Sequence, residues 1–219
     1  MRFRVNFMLP FVPALLLGAS VGTPLFAAGD GPSGHWRLDE GQGPLARDSS
    51  ASACHAAAAD ATPLDWVAAK SGSSLSFNGE DECLEAANPD RLNLAGAFSI
   101  EFWIRPKAWT EHPSRGIVSK KRSDRDRGYV VYNNGGTPSK ITLRVRGTRG
   151  GTDLVSRSDV DAEQWQHWAI TYDPAAGAAA WYKNGRPDQT YRVGIFGDLG
   201  SDAGFQIGHS QTWNGYYCG

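Results

Sequence analysis

The chain lacks the pattern of a long helix and carries few cysteines. No apolar heptad recurs along its 219 residues, and it has only 3 cysteines. Glycine and proline, by contrast, occur 26 and 12 times and interrupt the chain often, while 8 Trp, 7 Tyr and 9 Phe supply bulky core material. This balance favours a single all-β domain of sandwich or barrel size.

The sequence also lacks an excess of charge of either sign. It has 22 Lys and Arg against 23 Asp and Glu, a formal net charge of −1. Loss of the leader described below would remove two arginines, so 20 basic and 23 acidic residues would give −3. Such a charge creates no strong global field, and nucleic acid is therefore not an expected partner.

Residues 1–28 have the features of a secretory signal peptide. A basic start, an apolar run and a small-residue cleavage site follow one another, at Arg2 and Arg4, residues 7–17, and Ala27 and Ala28. The apolar run is short and contains two prolines, which disfavours a membrane span, although an uncleaved anchor is the alternative. We therefore expect residues 29–219 to form a domain without a membrane span, secreted, periplasmic or at the cell surface.

Export permits disulfides, but the three cysteines cannot all pair within the chain. Cys54, Cys83 and Cys218 are an odd number, so one is left over. Their spacing is not that of a zinc site.

Alternation of apolar and polar residues predicts many short strands. In the clearest, residues 98–104, four apolar residues alternate with Ser99, Glu101 and Trp103. A second strand around Trp168 leads, after a break, to an apolar run that ends at the hairpin-forming dipeptide Asn184-Gly185. Further candidates are 35–40, 74–77, 83–87, 116–120, 128–133, 140–146, 152–157 and 205–208. The pattern is typical of two packed antiparallel sheets.

An ordered set of motifs carries a resemblance to a known family. The motifs are GHWRLDEGQGPLARDSS, LSFNGEDECLEA, LAGAFSIEFWIRP, GIVSKK, WQHWAITYD, WYKNG and FQIGHS. Together they resemble the laminin G-like, concanavalin A-like jelly rolls of secreted proteins, over nearly all of the stretch from Gly34 to Gly219. The resemblance implies two curved antiparallel sheets, one of them concave, with loops along one rim that hold ligands.

The chain departs from that family in two places. Cys83 stands where an aromatic residue is usual, and members usually continue past the position of Gly219 with a strand of the type IDEVRIY beside an early strand. The expectation is therefore a jelly roll that lacks its last strand, either as a fragment or as a short gene product. In the family's arrangement the segment after the acidic loop lies beside the chain's end, which suggests a Cys83–Cys218 disulfide, with Cys54–Cys83 as the competing pair.

The acidic loop at residues 80–82 is a candidate calcium site. Calcium prefers several carboxylate and carbonyl oxygens on a flexible turn. Similar loops in laminin G-like and pentraxin proteins bind calcium, which carries over to Asp81 first and Glu82 second, with Gln211 and Asn214 on the matching rim segment. The alternative is a solvated acidic turn.

Exposed aromatic residues are a candidate glycan site, because sugars stack their CH-rich faces on aromatic rings while amides bind their hydroxyls. Trp213, Tyr216 and Tyr217, in a terminal loop with Asn214, and Trp109 in another loop fit this role. Trp165, Trp168 and Trp181 belong to strand patterns and are expected in the core.

A basic cluster could bind sulfated or uronic polysaccharides. It comprises Lys120, Lys121, Arg122, Arg125 and Arg127. Asp124 and Asp126 are interleaved with it, which favours a solvated hairpin loop instead.

Nothing in the sequence points to catalysis. Glycan hydrolases of this architecture carry an E-x-D-x-E strand motif, which is missing here, and no serine has a nucleophile-elbow context. The prediction is a non-catalytic binding or adhesion module for a glycan or another extracellular ligand, with calcium as its possible ion. A concanavalin-like hydrolase and a structural module of a larger exported protein are the alternatives.

Overall fold

The structure is a computed structural model that describes residues 2–6, 31–59, 63–69, 71–86, 89–107, 109, 114–134 and 136–219. One 3₁₀ turn, Pro89–Leu92, accompanies the strands. The strands are β1 (Arg2–Asn6), β2 (Gly34–Trp36), β3 (Leu45–Ala46), β4 (Ala56–Ala58), β5 (Asp65–Ala68), β6 (Ser73–Ser76), β7 (Leu84–Ala86), β8 (Phe98–Ile104), β9 (Gly116–Lys120), β10 (Gly128–Asn134), β11 (Thr137–Gly147), β12 (Gly150–Val155), β13 (Gln166–Asp173), β14 (Ala178–Lys183), β15 (Arg186–Arg192), β16 (Gln206–Ile207), β17 (His209–Ser210) and β18 (Gly215–Tyr216).

These strands form two main sheets and one small hairpin. The smaller main sheet has the order β15-β14-β13-β8-β1-β2, and the larger has the order β12-β11-β10-β9-β16-β7-β4-β3, with β17 and β18 attached beside β9. Strands β5 and β6 pair separately. Apart from the single parallel contact of β18 with β9, the strands pair antiparallel. The predicted all-β sandwich is confirmed.

The core lies between the two sheets and follows the alternation of the sequence. Phe98, Ile100, Phe102 and Ile104 of β8 are at most 2% exposed. The same buried cluster includes alternate residues of β13, which is paired with β8, and of β11 in the other sheet, namely Trp168, Ile170, Tyr172, Ile141, Leu143 and Val145. Because burial of one such side chain contributes about 1.5–3 kcal/mol, this layer is the main source of stability.

The hairpin between β14 and β15 turns at the predicted dipeptide. Asn184 and Gly185 have φ values of 52° and 75°, the left-handed pair that a tight hairpin turn requires. The Asn184 side chain also accepts a hydrogen bond from the main-chain N–H of His167 at 2.9 Å. The turn is therefore tied to β13 as well as to its own strands.

Strand β1 occupies a central position in the smaller sheet, between β2 and β8. Phe3 is paired with Phe102 on one side and with Trp36 on the other, and Val5 is paired with Ile100. This strand falls within the segment that the sequence predicts to be a signal peptide. The cleavage site expected at Ala27 and Ala28 lies outside the described residues. Among the residues described, no helix has the length and apolar character needed to cross a bilayer.

The chain's end lies beside the strand that leads into the acidic loop. Asn78 is bridged to Cys218, and Phe77 and Gly219 exchange main-chain hydrogen bonds of 3.0 and 3.1 Å. The resemblance to the family implied that the chain's end lies beside the segment after the acidic loop. In the structure it lies beside the segment before the loop instead. Cys54, Cys83 and Cys218 are all described and each is a thiol, so neither predicted disulfide is formed in the structure.

Candidate ligand-binding face of the larger sheet

The larger sheet has an outer face, turned away from the core, that carries large polar side chains. On β11 the core residues alternate with Thr142, Arg144 and Arg146, which therefore lie on this outer face. Tyr132 of β10 lies there too, paired with Thr142 and therefore diagonal to Arg144. It is nevertheless only 2% exposed, because another aromatic residue covers it.

That covering residue is Trp213, from the loop between β17 and β18. The rings of Trp213 and Tyr132 have centroids 4.4 Å apart, and the Arg144 guanidinium lies 4.9 Å from the Trp213 centroid and 5.7 Å from that of Tyr132. Stacking and cation–π contacts of this kind contribute about 0.5–1.5 kcal/mol each. We call Tyr132, Arg144 and Trp213 the Trp213 platform.

Two carboxylates fix the orientation of Arg144. Its Nε and Nη2 donate to Asp153 Oδ1 and Oδ2 at 2.7 and 2.6 Å, and Nη1 donates to Asp124 Oδ1 at 2.6 Å. The hydrogen bond to Asp153 raises the pKa of Arg144, outweighing the burial that opposes it. Burial raises the pKa of Tyr132, so its hydroxyl stays protonated. The platform is therefore a preorganised surface with fixed charges.

A row of hydrogen-bonding side chains continues across the same face. Glu85 Oε1 accepts from Gln206 Nε2 at 2.5 Å, Gln206 Oε1 lies 2.7 Å from His209 Nδ1, and His209 Nε2 lies 3.2 Å from Asn214 Oδ1. The imidazole is stacked on Tyr216 with centroids 4.1 Å apart. Burial lowers the pKa of His209, although its hydrogen bond with Asn214 opposes this shift.

The β17–β18 loop is held on the face by its own contacts. Thr212 Oγ1 donates to the carbonyl of Lys121 at 3.2 Å, and Gln211 Nε2 donates to the carbonyl of Gly204 at 3.4 Å. Asn214, at the end of the loop, adopts a left-handed φ of 53°, a conformation that asparagine tolerates better than most residues. These contacts present Trp213 and Asn214 together, next to the row of polar groups.

The carboxylates of this face are not arranged like those of a glycoside hydrolase. Asp153 and Asp124 are both bound by Arg144, so neither faces the other across an open cleft. Glu85 lies on β7, five strand positions from Asp153 on β12, which is roughly 24 Å at about 4.8 Å per strand. Hydrolysis requires two carboxyl groups roughly 5–9.5 Å apart.

The structure brings three of the five predicted ligand residues together. Trp213 and Tyr216 are half-buried and Asn214 is exposed, all on the outer face. Trp109 and Tyr217 are 2% and 1% exposed, so the expectation that they are exposed is wrong. They pack edge-to-face on each other at 6.4 Å, and Tyr217 does the same with Phe77 at 6.1 Å.

Most residues around Trp213 lie outside the site predicted from the sequence. Tyr132, Arg144, Asp153, Gln206, His209 and Glu85 were not predicted as site residues. Alternation along β10 and β11 does place Tyr132 and Arg144 on one face, but their proximity depends on the strand register.

The acidic loop is organised by its own hydrogen bonds. Asn78 Oδ1 accepts from the N–H of Glu80 at 2.8 Å, while Asp81 Oδ1 accepts from Asn78 Nδ2 and Glu82 Oε2 accepts from the N–H of Asn78, both at 2.7 Å. No cluster of three potential metal ligands among His, Cys, Asp and Glu occurs in the described ranges. Gln211 bonds Gly204 instead.

Two features set the limit on cation binding at this loop. Asp81 and Glu82 each keep a second carboxylate oxygen without a hydrogen bond in the described part of the chain, so two oxygens remain for a cation. The buried guanidinium of Arg115 packs against Gly79, at the start of the loop, and its positive charge opposes a divalent ion. Two carboxylate oxygens beside a buried cation are fewer than the about six to eight oxygen ligands that calcium takes.

The basic cluster is dispersed by the fold. Lys120 is buried and donates to the carbonyls of Ser201 and Ala203 at 2.8 and 3.0 Å, and burial lowers its pKa. Lys121 is also buried and donates to the carbonyl of Asp126. The cluster therefore offers no continuous basic surface.

Comparison with known proteins gives a family and a fold. The family described as "Concanavalin A-like lectin/glucanases superfamily" matches residues 78–219, well over half of the chain. Comparison with curated protein sequences gives no match.

Among solved structures, domain 4 of AbnA, a GH43 extracellular arabinanase from Geobacillus stearothermophilus in complex with arabinotriose, is similar with a TM-score of 0.63 and 19% identity, over 85% of this chain and 87% of that domain. The binding domain of Paraclostridial Mosquitocidal Protein 1 gives 0.60 and 14%, over 84% of this chain and 46% of that one. The receptor-binding domain of botulinum neurotoxin mosaic serotype C/D gives 0.51 and 16%, over 81% and 45%. The chain thus spans less than half of either toxin domain, and these likenesses show the fold alone.

Proposed function

This chain belongs to the concanavalin A-like lectin/glucanase superfamily, as its ordered motifs predicted, and we propose that it is an exported, non-catalytic carbohydrate-binding module. The proposal draws support from a solved neighbour of the same fold that is complexed with arabinotriose and from others described as binding domains. Neutral or weakly charged oligosaccharides are the proposed ligands.

The observation that carries the proposal is the Trp213 platform. A sugar ring stacked on the accessible part of the indole gains apolar contact without losing the solvation of its hydroxyls, which point outward from the ring edge. In such a stack the hydroxyls of the sugar would lie near the Asn214 amide, in the same loop as Trp213, and near the ion pairs of Arg144 on β11. Because Arg144 is already neutralised by Asp153 and Asp124, the platform favours hydroxyls over anionic groups.

The second part of the binding surface is the row from Glu85 to Asn214. Amide, imidazole and carboxylate groups supply both donors and acceptors, as sugar hydroxyls require. These groups already bond one another, so they are held in place before a ligand arrives. A chain of two or three sugar residues running from the platform across this row would satisfy both parts.

The experiment that tests the proposal is a glycan-array screen followed by calorimetry on the strongest neutral ligand. Trp213→Ala should weaken binding by at least tenfold, because a base- or sugar-sized stacking partner contributes one to a few kcal/mol. Trp103→Ala is the matched control, since Trp103 is half-exposed on the opposite sheet, beside His167. Equal binding by wild type and Trp213→Ala would contradict the proposal.

Calcium dependence and export are further parts of the proposal that rest on the sequence. Asp81 and Glu82 are the calcium ligands proposed, at the millimolar affinity typical of weak extracellular sites. Residues 1–28 are the export signal proposed. N-terminal sequencing of the exported protein would locate the cleavage, which is expected after Ala28.

A further inference from the structure

A second cleft lies at one end of the sandwich, away from the Trp213 platform. It has a volume of about 340 Å³, within the range of about 300–1,000 Å³ that small-molecule pockets occupy. Its walls come from the β5–β6 hairpin, the residues just after β8, the residues just before β13, and Tyr217 and Gly219. We call it the end cleft.

Two cations of the end cleft are not neutralised. Arg105 and Lys107 are exposed and, within the residues that the structure describes, take part in no ion pair. Arg105 Nε donates to the carbonyl of Glu163 at 3.1 Å, and Lys107 Nζ has only a long contact, 3.4 Å, with Ser76 Oγ. The other guanidinium nitrogens of Arg105 therefore remain for a ligand.

An aromatic wall and an acidic residue complete the end cleft. Trp165, expected in the core, is in fact half-exposed and lines the cleft together with Glu163. The Tyr217 hydroxyl is buried at the base, beside Gly219 and the main chain of Arg105, and helps to close the cleft from below.

We propose that the end cleft binds an acidic saccharide through its carboxylate, a hexuronate residue of an anionic polysaccharide. Arg105 and Lys107 bind the carboxylate by charge-assisted hydrogen bonds, and the indole of Trp165 stacks on the sugar ring. The hydroxyls of the ring donate to Glu163. This site is separate from the Trp213 platform, so it goes beyond the proposed function.

The mixed charge of the end cleft selects this class of ligand. Inorganic phosphate or sulfate would be bound by the two cations but would leave the Glu163 carboxylate facing another anion, which is unfavourable. A neutral sugar would satisfy Glu163 and Trp165 but would leave both cations unpaired. A hexuronate presents a carboxylate on one side of the ring and donor hydroxyls on the other, which matches both ends of the cleft.

The experiment measures binding of tri-galacturonate to the whole chain by calorimetry at low salt. Its methyl ester, which keeps the ring but removes the charge, is the matched ligand control. We expect the acid to bind at least tenfold more tightly than the ester, and we expect Arg105→Gln combined with Lys107→Gln to abolish that difference. Trp165→Ala should weaken the acid at least tenfold.

Two further variants separate this site from the others. Arg122→Gln removes an exposed charge outside the end cleft and should leave the affinity for tri-galacturonate within twofold of wild type, as should Trp213→Ala. Thermal unfolding of every variant checks that it is folded. The proposal is overturned if the acid and the ester bind equally, if tri-galacturonate does not bind at all, or if Arg122→Gln or Trp213→Ala weakens its binding as much as the cleft variants do.

Discussion

The Trp213 platform and the end cleft use the same types of residue for different purposes. In the platform, Asp153 and Asp124 accept hydrogen bonds from three nitrogens of Arg144, so its charge is neutralised within the protein. In the end cleft, the Arg105 side chain has one hydrogen bond within the described residues, to the neutral carbonyl of Glu163. An arginine thus orients an aromatic ring in one place and remains available for an anionic ligand in the other. The two arginines differ in charge pairing and not in residue type, and the two proposed ligands differ accordingly.

The largest expected effect is the loss of stability on removal of β1, which belongs to the smaller sheet and not to the sheet that carries the Trp213 platform. Deletion of residues 1–28 takes away a strand paired on both sides in the smaller sheet, whereas the outer face of the larger sheet is unchanged. At about 1 kcal/mol for each ladder hydrogen bond, the free energy of unfolding should fall by roughly 3 kcal/mol or more. Urea unfolding of residues 29–219 and of the full chain would measure it.

Single substitutions provide the control for that deletion. Phe3→Asp should cost more stability than Arg4→Asp, because Phe3 is in register with buried Phe102 and Arg4 with half-exposed Glu101. If the deletion leaves the free energy of unfolding unchanged, β1 does not stabilise the sheet. In that case the end cleft, which begins just after β8, should also keep its affinity for tri-galacturonate.

A smaller effect is the dependence of stability on pH, which arises from His209 on the outer face of the larger sheet. Burial lowers the pKa of His209 below its ordinary value of 6.5. The unfolded chain therefore takes up this proton at a higher pH than the folded protein does, so stability from this group is complete above pH 6.5 and is lost as the pH falls towards the lowered pKa. We expect the melting temperature to drop by a few degrees between pH 7.5 and 5.5.

His209→Gln should reduce that drop, whereas His55→Gln, outside the face, should leave it unchanged. Neutral-glycan binding should change little over the same pH interval, because protonated His209 can donate to both Gln206 Oε1 and Asn214 Oδ1. Binding of tri-galacturonate in the end cleft should not follow the protonation of His209. If the melting temperatures of wild type and His209→Gln depend on pH in the same way, His209 is not the cause of the drop.

The smallest expected effect is that of calcium at the acidic loop, which belongs to neither region. With a dissociation constant of about 1 mM, 10 mM calcium would add about 1.4 kcal/mol to the free energy of unfolding, or about 3–5 °C in melting temperature. Asp81→Asn should abolish the increase, while Gln211→Ala, distant from the loop's hydrogen bonds, should not. An unchanged melting curve for wild type at 10 mM calcium would contradict calcium binding.

The fold could be predicted from the sequence further than the site could. Period-two alternation marked β8 and β13 because burial of one face leaves a direct record in the residue order. Trp165 and Tyr217 show the limit of that reasoning: an aromatic residue at the end of a strand can face the core or a cleft, and only packing from distant segments decides. The contacts of Arg144 with Asp124 and Trp213 join segments about 20 and 70 residues apart, so no local pattern contains them.

The most direct test of the account is a crystal structure of the protein with its strongest neutral oligosaccharide bound. We predict a sugar ring stacked on Trp213, with its hydroxyls bonded to Asn214 and to the row between Glu85 and His209, and with the Arg144 ion pairs intact. A ligand bound elsewhere, with Trp213 uncontacted, would contradict it.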